Sequence, residues 1–377
     1  MNIQEIMLEA VRCCIVGEVL QPDYLERLDD AALVKLLKIS QHLDISHLVA
    51  ASLIKSGYSN ERYSSLIQEV DFAIFRYERL RYNCDNIEAV LEAKNIPYIM
   101  LKGASLREYY PESWMRTSCD IDILIKRDNI DEMLKHLESS EEYSVEEVTH
   151  RDISVFTKDQ THIEIHYELN EELFKDYEAL RNVFEHANKV DGYNCKYDIP
   201  SDIMTFYLIS HTAKHFVNGG CGVRPLIDLW LVRNQIGISN QLKQLLQDSG
   251  LSTFTEQLYR LIDVWFEGKE HNEVTSAMQS YIIQGGTYGT TNNMVASKGG
   301  KNKYIASRIF LPYKRLKQLY PVVEKAKILV PFYQVVRWVK IIFGGGVKRS
   351  LTELSNISNI DSSREQFVAR LLEKLEL

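Results

Sequence analysis

Two short runs of alternating polar and apolar residues decide how this chain folds: Cys119-Asp120-Ile121-Asp122-Ile123-Leu124-Ile125 and, further along, His162-Ile163-Glu164-Ile165-His166-Tyr167. In a β-strand, residues two positions apart point to the same face. Asp120 and Asp122 therefore share one face of the first run, and His162, Glu164 and His166 share one face of the second. Apolar side chains fill the opposite face of both runs, so we expect two strands with an apolar underside.

The polar faces of these two strands carry three carboxylates. If the strands pair, the carboxylates of Asp120, Asp122 and Glu164 converge on one surface. They would repel one another there, and a divalent cation would stabilise the group. Carboxylate oxygens are hard ligands that suit Mg²⁺ or Mn²⁺. The sequence therefore predicts a site for Mg²⁺ or Mn²⁺ with these three residues as ligands.

The composition is that of a soluble globular protein, with 45% hydrophobic and 25% charged residues. Its 377 residues are enough for about two or three domains. The six cysteines are scattered without a CxxC spacing, which argues against a disulfide framework and a zinc ribbon. The first residues lack the basic and apolar regions of a signal peptide, so we expect a cytoplasmic location.

The net charge of −8 conceals a strong asymmetry between the body and the C-terminal part of the chain. Residues 301–349 contain twelve Lys or Arg and one acidic residue, Glu324, which gives +11, so the remainder carries −19. An acidic body repels polyanions, which argues against nucleic acid as a partner. The basic segment either lies on an anionic membrane surface as an amphipathic helix or packs across the acidic body; we expect packing.

The pattern of apolar residues divides the chain into five regions. We expect an α+β fold: a small mixed β-sheet core flanked by N-terminal and C-terminal helical regions. The regions are an N-terminal helical region (1–82), an α/β core (83–170), a helical domain (171–284), a flexible linker (285–303) and basic amphipathic C-terminal helices (304–377).

Within the core, a short buried strand over residues 96–101 is expected to end at a glycine turn, Lys102-Gly103-Ala104-Ser105. A helix that starts at Leu106 would point its free N–H groups at an anion. Asp128 is the expected N-cap of the next helix. Three strands should follow, over Tyr143–Val148, Ile153–Thr157 and Thr161–Tyr167.

The order of these motifs resembles the polymerase-β-type nucleotidyltransferase superfamily, and more narrowly a bacterial uncharacterised nucleotidyltransferase family with the pattern LKG…R…DIDLLV…ELHW. The matching segments are Leu101-Lys102-Gly103-Ala104-Ser105, Arg116, Asp120 to Ile125, and Ile163 to Tyr167. The resemblance covers roughly residues 85–235. One departure is the Gly103-Ala104-Ser105 turn, where the superfamily usually has a Gly-Ser pair closer to the aspartates.

The resemblance implies an enzyme that moves NMP from an NTP to an acceptor and releases pyrophosphate. Asp120 and Asp122 would hold two Mg²⁺ ions, and Glu164 would complete one metal site and help activate the acceptor hydroxyl. The turn at Gly103 and Ser105 would cradle the phosphates. The cationic side chains of Lys102 and Arg116 would contact phosphate oxygens.

A second group of candidates lies in the helical domain. The resemblance places a basic residue and a D-L-W/A segment beside the NTP, which makes Lys214, Arg224 and Asp228 nucleotide-binding candidates. Arg224 and Asp228 are equally readable as an intrahelical i,i+4 ion pair. His211 and His215 lack the glutamate of a zincin motif, so we expect helix packing for them.

Two questions stay open at the level of sequence. His162 and His166 are either metal ligands or acceptor-site bases, or hydrogen-bonded scaffolding beside Glu164. The leading function is metal-dependent NMP transfer to a hydroxyl-bearing small molecule or protein side chain. The alternative is a non-catalytic nucleotide- or partner-binding protein on a degenerate nucleotidyltransferase fold.

Overall fold

The computed structural model describes residues 2–58, 63–169, 178–287, 289–320, 322–343 and 362–377. One mixed β-sheet lies among a large number of α-helices, which confirms the α+β fold class. Within these ranges, each helix is too short or too polar to traverse a lipid bilayer.

Seven strands form the sheet, in the order β3-β4-β5-β2-β1-β7-β6. Their bounds are β1 Tyr98–Met100, β2 Asp120–Ile125, β3 Tyr143–Val148, β4 Asp152–Thr157, β5 His162–His166, β6 Asn188–Lys189 and β7 Lys196–Asp198. Strand β2 runs parallel to β5, and β1 runs parallel to β7. The remaining neighbours are antiparallel, so β2 lies at the centre of the sheet with β5 and β1 on either side.

The pairing of β2 with β5 is the one on which the carboxylate site depends. Asp122 lies opposite Glu164, and Asp120 lies opposite His162. The isoleucines that alternate with these residues also lie opposite one another and are buried. The predicted convergence of the two polar faces is therefore confirmed, and the register is one that buries the isoleucines of both strands on the same side.

Helices cover both faces of the sheet. The helices before the sheet and those flanking the first strands are α1 Ile3–Val16, α2 Pro22–Leu25, α3 Asp30–His42, α4 Ser46–Lys55, α5 Tyr63–Ala93, α6 Lys102–Leu106 and α7 Ile130–Ser139. Between β5 and β6 lie α8 Glu178–Arg181 and α9 Val183–His186. The helices that follow β7 are α10 Ser201–Val217, α11 Arg224–Ile236, α12 Asn240–Ser249, α13 Ser252–Glu267 and α14 Glu273–Gly285. The C-terminal helices are α15 Thr291–Ser297, α16 Lys301–Ile309, α17 Tyr313–Leu319, α18 Val322–Lys325, α19 Val330–Phe343 and α20 Ser362–Leu375.

The apolar underside of the sheet packs against α5 and α7. Ile121, Ile123 and Ile163 share one core with Leu80 and Ile87 of α5. The opposite face is apolar only at its far end, where Leu124 joins a second core formed by the helices. At the near end this face carries Asp120 and Asp122, so the helical layer leaves a polar cleft there.

The predicted boundary between residues 82 and 83 falls inside a helix. Helix α5 runs without a break from Tyr63 to Ala93. Its second half covers the sheet with Leu80, Cys84, Ile87 and Leu91, which continue one apolar stripe. The helical periodicity does not change at residue 82; only the partner of the stripe changes, and that partner is distant in sequence.

The predicted flexible linker over residues 285–303 contains an ordered helix instead. Helix α15 is capped by Thr290, whose side chain accepts a hydrogen bond from the backbone N–H of Asn293. The Asn293 side chain is buried, donates to the Gly219 carbonyl oxygen at 3.0 Å and accepts from Arg364 at 3.0 Å. A Cβ atom at Gly289 would collide with the Gly219 backbone. The glycines of this segment therefore allow close packing rather than flexibility.

Two further expectations differ from the structure. Asp128 does not cap a helix: it lies in a 3₁₀ turn, and α7 begins at Ile130 after Asn129, which makes no side-chain cap. The tail does not bury the apolar side of α19 against the acidic body, since Gln334 is the buried residue of that helix. The expected helix over 173–187 lies partly outside the described residues, and α8 and α9 occupy its described part.

Candidate active site

A cleft of about 360 Å³ opens where the polar face of β2 and β5 meets helices α10 and α11. It is lined by all but one of the predicted site residues: Lys102, Gly103, Arg116, Asp120, Asp122, Glu164, Lys214, Arg224 and Asp228. The exception is Ser105, which lines a different, smaller cavity and donates a hydrogen bond to the Lys102 carbonyl oxygen at 3.3 Å. The structure thus brings together residues that are far apart in the chain.

Asp122 is the most buried carboxylate of the cleft, at 3% exposure. Its Oδ1 accepts a hydrogen bond from Lys102 Nζ at 2.9 Å and lies 2.9 Å from His166 Nε2. Burial by itself would raise the pKa of Asp122, but Lys102 and His166 outweigh burial and hold that pKa well below its usual range. Asp122 is therefore ionised at neutral pH.

The other two carboxylates have the opposite character. Burial, and then the charge of Asp122, raise the pKa of Asp120 and also that of Glu164. Glu164 Oε2 lies 3.4 Å from His166 Nε2. Lys102 lowers both pKa values but does not outweigh burial and the charge of Asp122.

Two overlapping groups of side chains have the geometry of a metal site. One joins Asp120, His162 and Glu164, and the other joins Asp122, Glu164 and His166. In each group one ligand atom per residue lies within 4.8 Å of the others. Carboxylate oxygens with imidazole nitrogens suit Mn²⁺ as well as Mg²⁺. The donor set fits a divalent cation, and the raised pKa values of Asp120 and Glu164 show what that cation would relieve.

The predicted glycine turn is the short helix α6, Lys102–Leu106, so this helix begins four residues before the expected start at Leu106. Its first residue, Lys102, has an unusual backbone conformation. Lys102 has a φ of +38°, in the left-handed region that non-glycine residues rarely adopt. A Cβ atom on the next residue, Gly103, would lie 2.9 Å from Ser118 Oγ and 3.1 Å from Arg116 Nη1. Gly103 therefore lets the turn approach the loop that leads into β2, and this approach directs Lys102 toward Asp122.

Arg116 and Asp228 form a buried ion pair across the cleft wall. Arg116 donates through Nε to Asp228 Oδ1 at 3.1 Å and through Nη2 to Oδ2 at 2.8 Å. The Tyr110 hydroxyl also donates to Asp228, at 2.7 Å. Asp228 is thus engaged by Arg116 and Tyr110, and the intrahelical pair with Arg224 that sequence spacing allowed is not formed.

Arg224 instead connects the cleft to the N-terminal helices. It donates to the Thr117 carbonyl oxygen at 2.6 Å and to Asp44 Oδ2 at 3.0 Å. Asp44 also accepts from Arg76 at 3.0 Å. Burial raises the pKa of Asp44, but Arg224 and Arg76 outweigh it and lower that pKa overall. No local sequence signal marks Asp44, because its partner lies 180 residues away.

Helix α10 supplies the wall opposite the carboxylates. Lys214, His211 and His215 all line the cleft from this helix. The Nε2 atoms of the two histidines lie 2.9 Å apart. The sequence predicted that these two histidines only pack against neighbouring helices. In the structure both of them line the cleft.

The residues that line the cleft lie within the part of the chain that matches a known protein family. A family model described as "Uncharacterised nucleotidyltransferase" matches residues 29–267, more than half of the protein. The chain belongs to this nucleotidyltransferase family. The resemblance read from the sequence motifs is confirmed, and membership identifies the general activity as transfer of a nucleoside monophosphate.

This nucleotidyltransferase was also compared with curated proteins and with solved structures. No curated protein matches it. Among solved structures, the solution structure of the antibiotic-resistance factor ANT(2'')-Ia is similar, at 11% identity and a TM-score of 0.35. That match covers 51% of this chain and 100% of the other.

In this nucleotidyltransferase, the position of His162 is fixed by its neighbours on β4 and β5. The His162 ring stacks on Phe156 with ring centroids 4.8 Å apart. Ser154 Oγ lies 2.8 Å from His162 Nε2, and His162 Nδ1 lies 3.9 Å from Glu164 Oε1. With one ring nitrogen beside Ser154 and the other directed toward Glu164, His162 can both position that carboxylate and offer a ligand atom.

Proposed function

We propose that this nucleotidyltransferase moves NMP from an NTP to a hydroxyl group in a reaction that depends on Mg²⁺ or Mn²⁺. The observation that carries the proposal is the parallel register that places Asp122 opposite Glu164 and next to Asp120. The acceptor hydroxyl oxygen forms the new bond to the α-phosphorus, and pyrophosphate leaves. A divalent cation held by these carboxylates would lower the pKa of the hydroxyl and neutralise the charge of the leaving group.

The residues of the chain have distinct proposed roles around this reaction. Asp122, ionised at neutral pH, and Asp120 hold the cation. Glu164 is proposed as both ligand and acceptor of the hydroxyl proton, because its raised pKa makes it more basic than an ordinary carboxylate. Lys102 is proposed to keep Asp122 ionised in the free enzyme and to meet a phosphate oxygen when the cation takes over that task.

The phosphates are proposed to lie between the glycine turn and the helical wall. Gly103 leaves room for them beside Lys102, and Lys214 and Arg224 bring positive charge from the other side of the cleft. Arg116 and Asp228 are proposed to shape this seat through their mutual ion pair. Ser105 has no place in the proposal because it lies outside the cleft.

We propose a small molecule or a protein side chain as the acceptor, in the cytoplasm. The charge of −19 outside residues 301–349 opposes binding of a polynucleotide. All six cysteines are free, and five of them are buried, as suits a reducing compartment.

The test measures NTP binding by calorimetry with and without Mg²⁺, and release of pyrophosphate with a panel of hydroxyl acceptors. We expect Asp120→Asn with Asp122→Asn to abolish metal-dependent binding and turnover. Asp128→Asn is the matched control, because Asp128 is exposed outside the cleft. Undiminished turnover in the double variant would overturn the assignment of these residues.

The non-catalytic alternative is favoured by one observation, namely that Lys102 and His166 both contact the same oxygen of Asp122. A lysine ammonium can replace a cation in a binding protein that has lost activity. Metal-independent NTP binding by the wild-type protein, without pyrophosphate release across the acceptor panel, would support this alternative.

A further inference from the structure

Helix α19 presents a continuous apolar stripe to solvent. Its members are Phe332, Val335, Val339 and Ile342 of the helix, together with Ile328 of the 3₁₀ turn just before it, and they are 46% to 88% exposed. Successive members are four or three positions apart, so they lie along one side of the helix. Phe343, at 85% exposure, extends the stripe at its end. Large apolar residues scattered singly over a surface are ordinary, but an aligned row marks an interaction surface.

Specific polar contacts fix which side of α19 faces outward. Gln334 bonds both backbone groups of Leu311, accepting from its N–H at 3.2 Å and donating to its carbonyl oxygen at 2.6 Å. Trp338 donates to the Ile309 carbonyl oxygen at 2.7 Å, and Arg337 donates to the same oxygen at 3.1 Å. Gln334, Arg337 and Trp338 lie on the side of α19 opposite the stripe. These hydrogen bonds hold one side of α19 against residues 309–311, and the apolar stripe on the opposite side is therefore exposed to solvent.

Basic side chains surround the stripe. Residues 301–343 contain ten Lys or Arg and the single acid Glu324. Lys325, Lys327 and Lys340 are exposed and close to the stripe in sequence. The ammonium groups of Lys327 and Lys340 lie over the rings of Tyr313 and Tyr320. An amphipathic helix with an apolar face and flanking basic residues is suited to the interface of an anionic lipid bilayer.

We propose that the apolar stripe of α19 binds the surface of an anionic membrane and holds the enzyme there. The helix has 14 residues, so it would lie in the plane of the interface with the apolar side chains among the lipid headgroups and upper acyl chains. Exposed lysines are depleted from protein–protein interfaces, whereas each lysine near an anionic bilayer strengthens binding about fivefold. The charge of the segment therefore favours lipid over a protein partner.

The test uses the full chain and sedimentation with vesicles of phosphatidylcholine alone or with about 30% phosphatidylserine. We expect binding to the anionic vesicles that weakens as salt is raised. Phe332→Glu with Val339→Glu should reduce the partition coefficient at least about tenfold, by analogy with the cost of charged residues in apolar surroundings. The matched control is Val19→Glu with Val148→Glu, since these valines are 51% and 49% exposed elsewhere on the protein.

A second pair of variants tests the charge contribution. Lys327→Gln with Lys340→Gln should weaken binding to anionic vesicles about twenty-five-fold at low salt. Equal binding to both vesicle types would overturn the electrostatic part of the proposal. Failure of the wild-type protein to bind anionic vesicles would overturn the proposal as a whole. A wild-type dimer that Phe332→Glu with Val339→Glu dissociates would assign the stripe to self-association instead. NTP turnover in solution should be unaffected by all these variants, which separates this proposal from that of the active site.

Discussion

The pKa values of Asp122 and Glu164 in the cleft affect the stability of the folded protein in opposite directions. Asp122 has a lowered pKa, so its charge stabilises the folded state above the unfolded pKa of about 4, and this contribution is lost as the pH falls. Glu164 has a raised pKa, so it favours folding at low pH, and this contribution is lost as the pH rises through its folded pKa. The folded protein therefore favours the charged form of Asp122 and disfavours the charged form of Glu164.

We predict that Glu164→Gln stabilises the metal-free protein at pH 7 by about 0.5 kcal/mol, a small value because the carboxylate is partly exposed and screened. The same variant should lose turnover. Urea unfolding at pH 7 measures the first effect, with Glu147→Gln on the exposed end of β3 as the control. Destabilisation by Glu164→Gln would show that the carboxylate is held by favourable contacts rather than strained.

Metal affinity should depend on pH in the range set by the same groups. A cation binds carboxylates in their deprotonated form, and the pKa values of Asp120 and Glu164 are raised. We predict that Mn²⁺ affinity declines at a higher pH than the value of about 4 that is usual for carboxylates. Calorimetric titration across pH 4 to 8, a range chosen from those typical values, measures this. Affinity constant down to pH 5 would contradict it.

The Arg116–Asp228 pair should matter more for stability than any surface pair. Both side chains are nearly inaccessible, at 7% and 5% exposure. Asp228→Ala would leave the Arg116 charge buried without a partner, which we predict costs about 3–5 kcal/mol in the free energy of unfolding. The control is Glu78→Ala, whose exposed partner is Arg81, with an expected change below about 1 kcal/mol. Similar losses in both variants would refute the distinction.

At the scale of elements, the site depends on the fit between the glycine turn and the loop before β2. A Cβ at Gly103 would press on Ser118 and Arg116, both of which hold that loop. The turn and β2 would move apart, and with them Lys102 and Asp122.

We therefore predict that Gly103→Ala lowers NTP affinity at least about tenfold, which corresponds to about 1.4 kcal/mol. Gly192→Ala is the control, because no atom lies within 4 Å of a Cβ there, although the φ of Gly192 is positive and that of Gly103 is not. Calorimetry with a non-hydrolysable NTP analogue measures the difference. Equal NTP affinities for Gly103→Ala and Gly192→Ala would show that the close packing of Gly103 against Ser118 and Arg116 is not needed for NTP binding.

At the scale of the whole molecule, the helical regions and the sheet are not independent bodies. One core joins apolar residues of α1, α3 and α4, Leu124 of β2, and helices α10 to α14 and α20. The ion pair of Asp44 with Arg224 ties the N-terminal helices to α11. The Thr117 hydroxyl donates to Asp44 and ties these helices to the loop that carries Arg116.

Removal of residues 1–82 should therefore abolish cooperative folding rather than yield a smaller active enzyme. The deletion would cut α5 and remove Leu80, which packs under the sheet together with Cys84 and Ile87. We predict loss of a sharp thermal transition and rapid proteolysis, measured by calorimetry and limited trypsin digestion. A truncated chain that unfolds cooperatively and binds NTP would show that the α/β core is self-sufficient.

The sequence by itself determined strands β2 to β5 and the carboxylate face, whereas β6 and β7 were not predicted. Alternation at β2 and β5 is a local pattern with a period of two residues, and burial of the isoleucines excludes a register shifted by one residue. Strand β3 was predicted with its observed bounds, and β4 and β5 to within one residue at either end. The family motifs lie in this same stretch, which explains why the resemblance was recognisable.

Only the tertiary structure decided which charges meet. Arg224 was as compatible with Asp228, four positions away, as with Asp44, and the fold chose Asp44 because the N-terminal helices pack beside α11. The glycines near residue 289 signalled flexibility by composition, whereas they serve close backbone packing. Long-range pairs of this kind depend on how whole elements pack, and no local pattern encodes them.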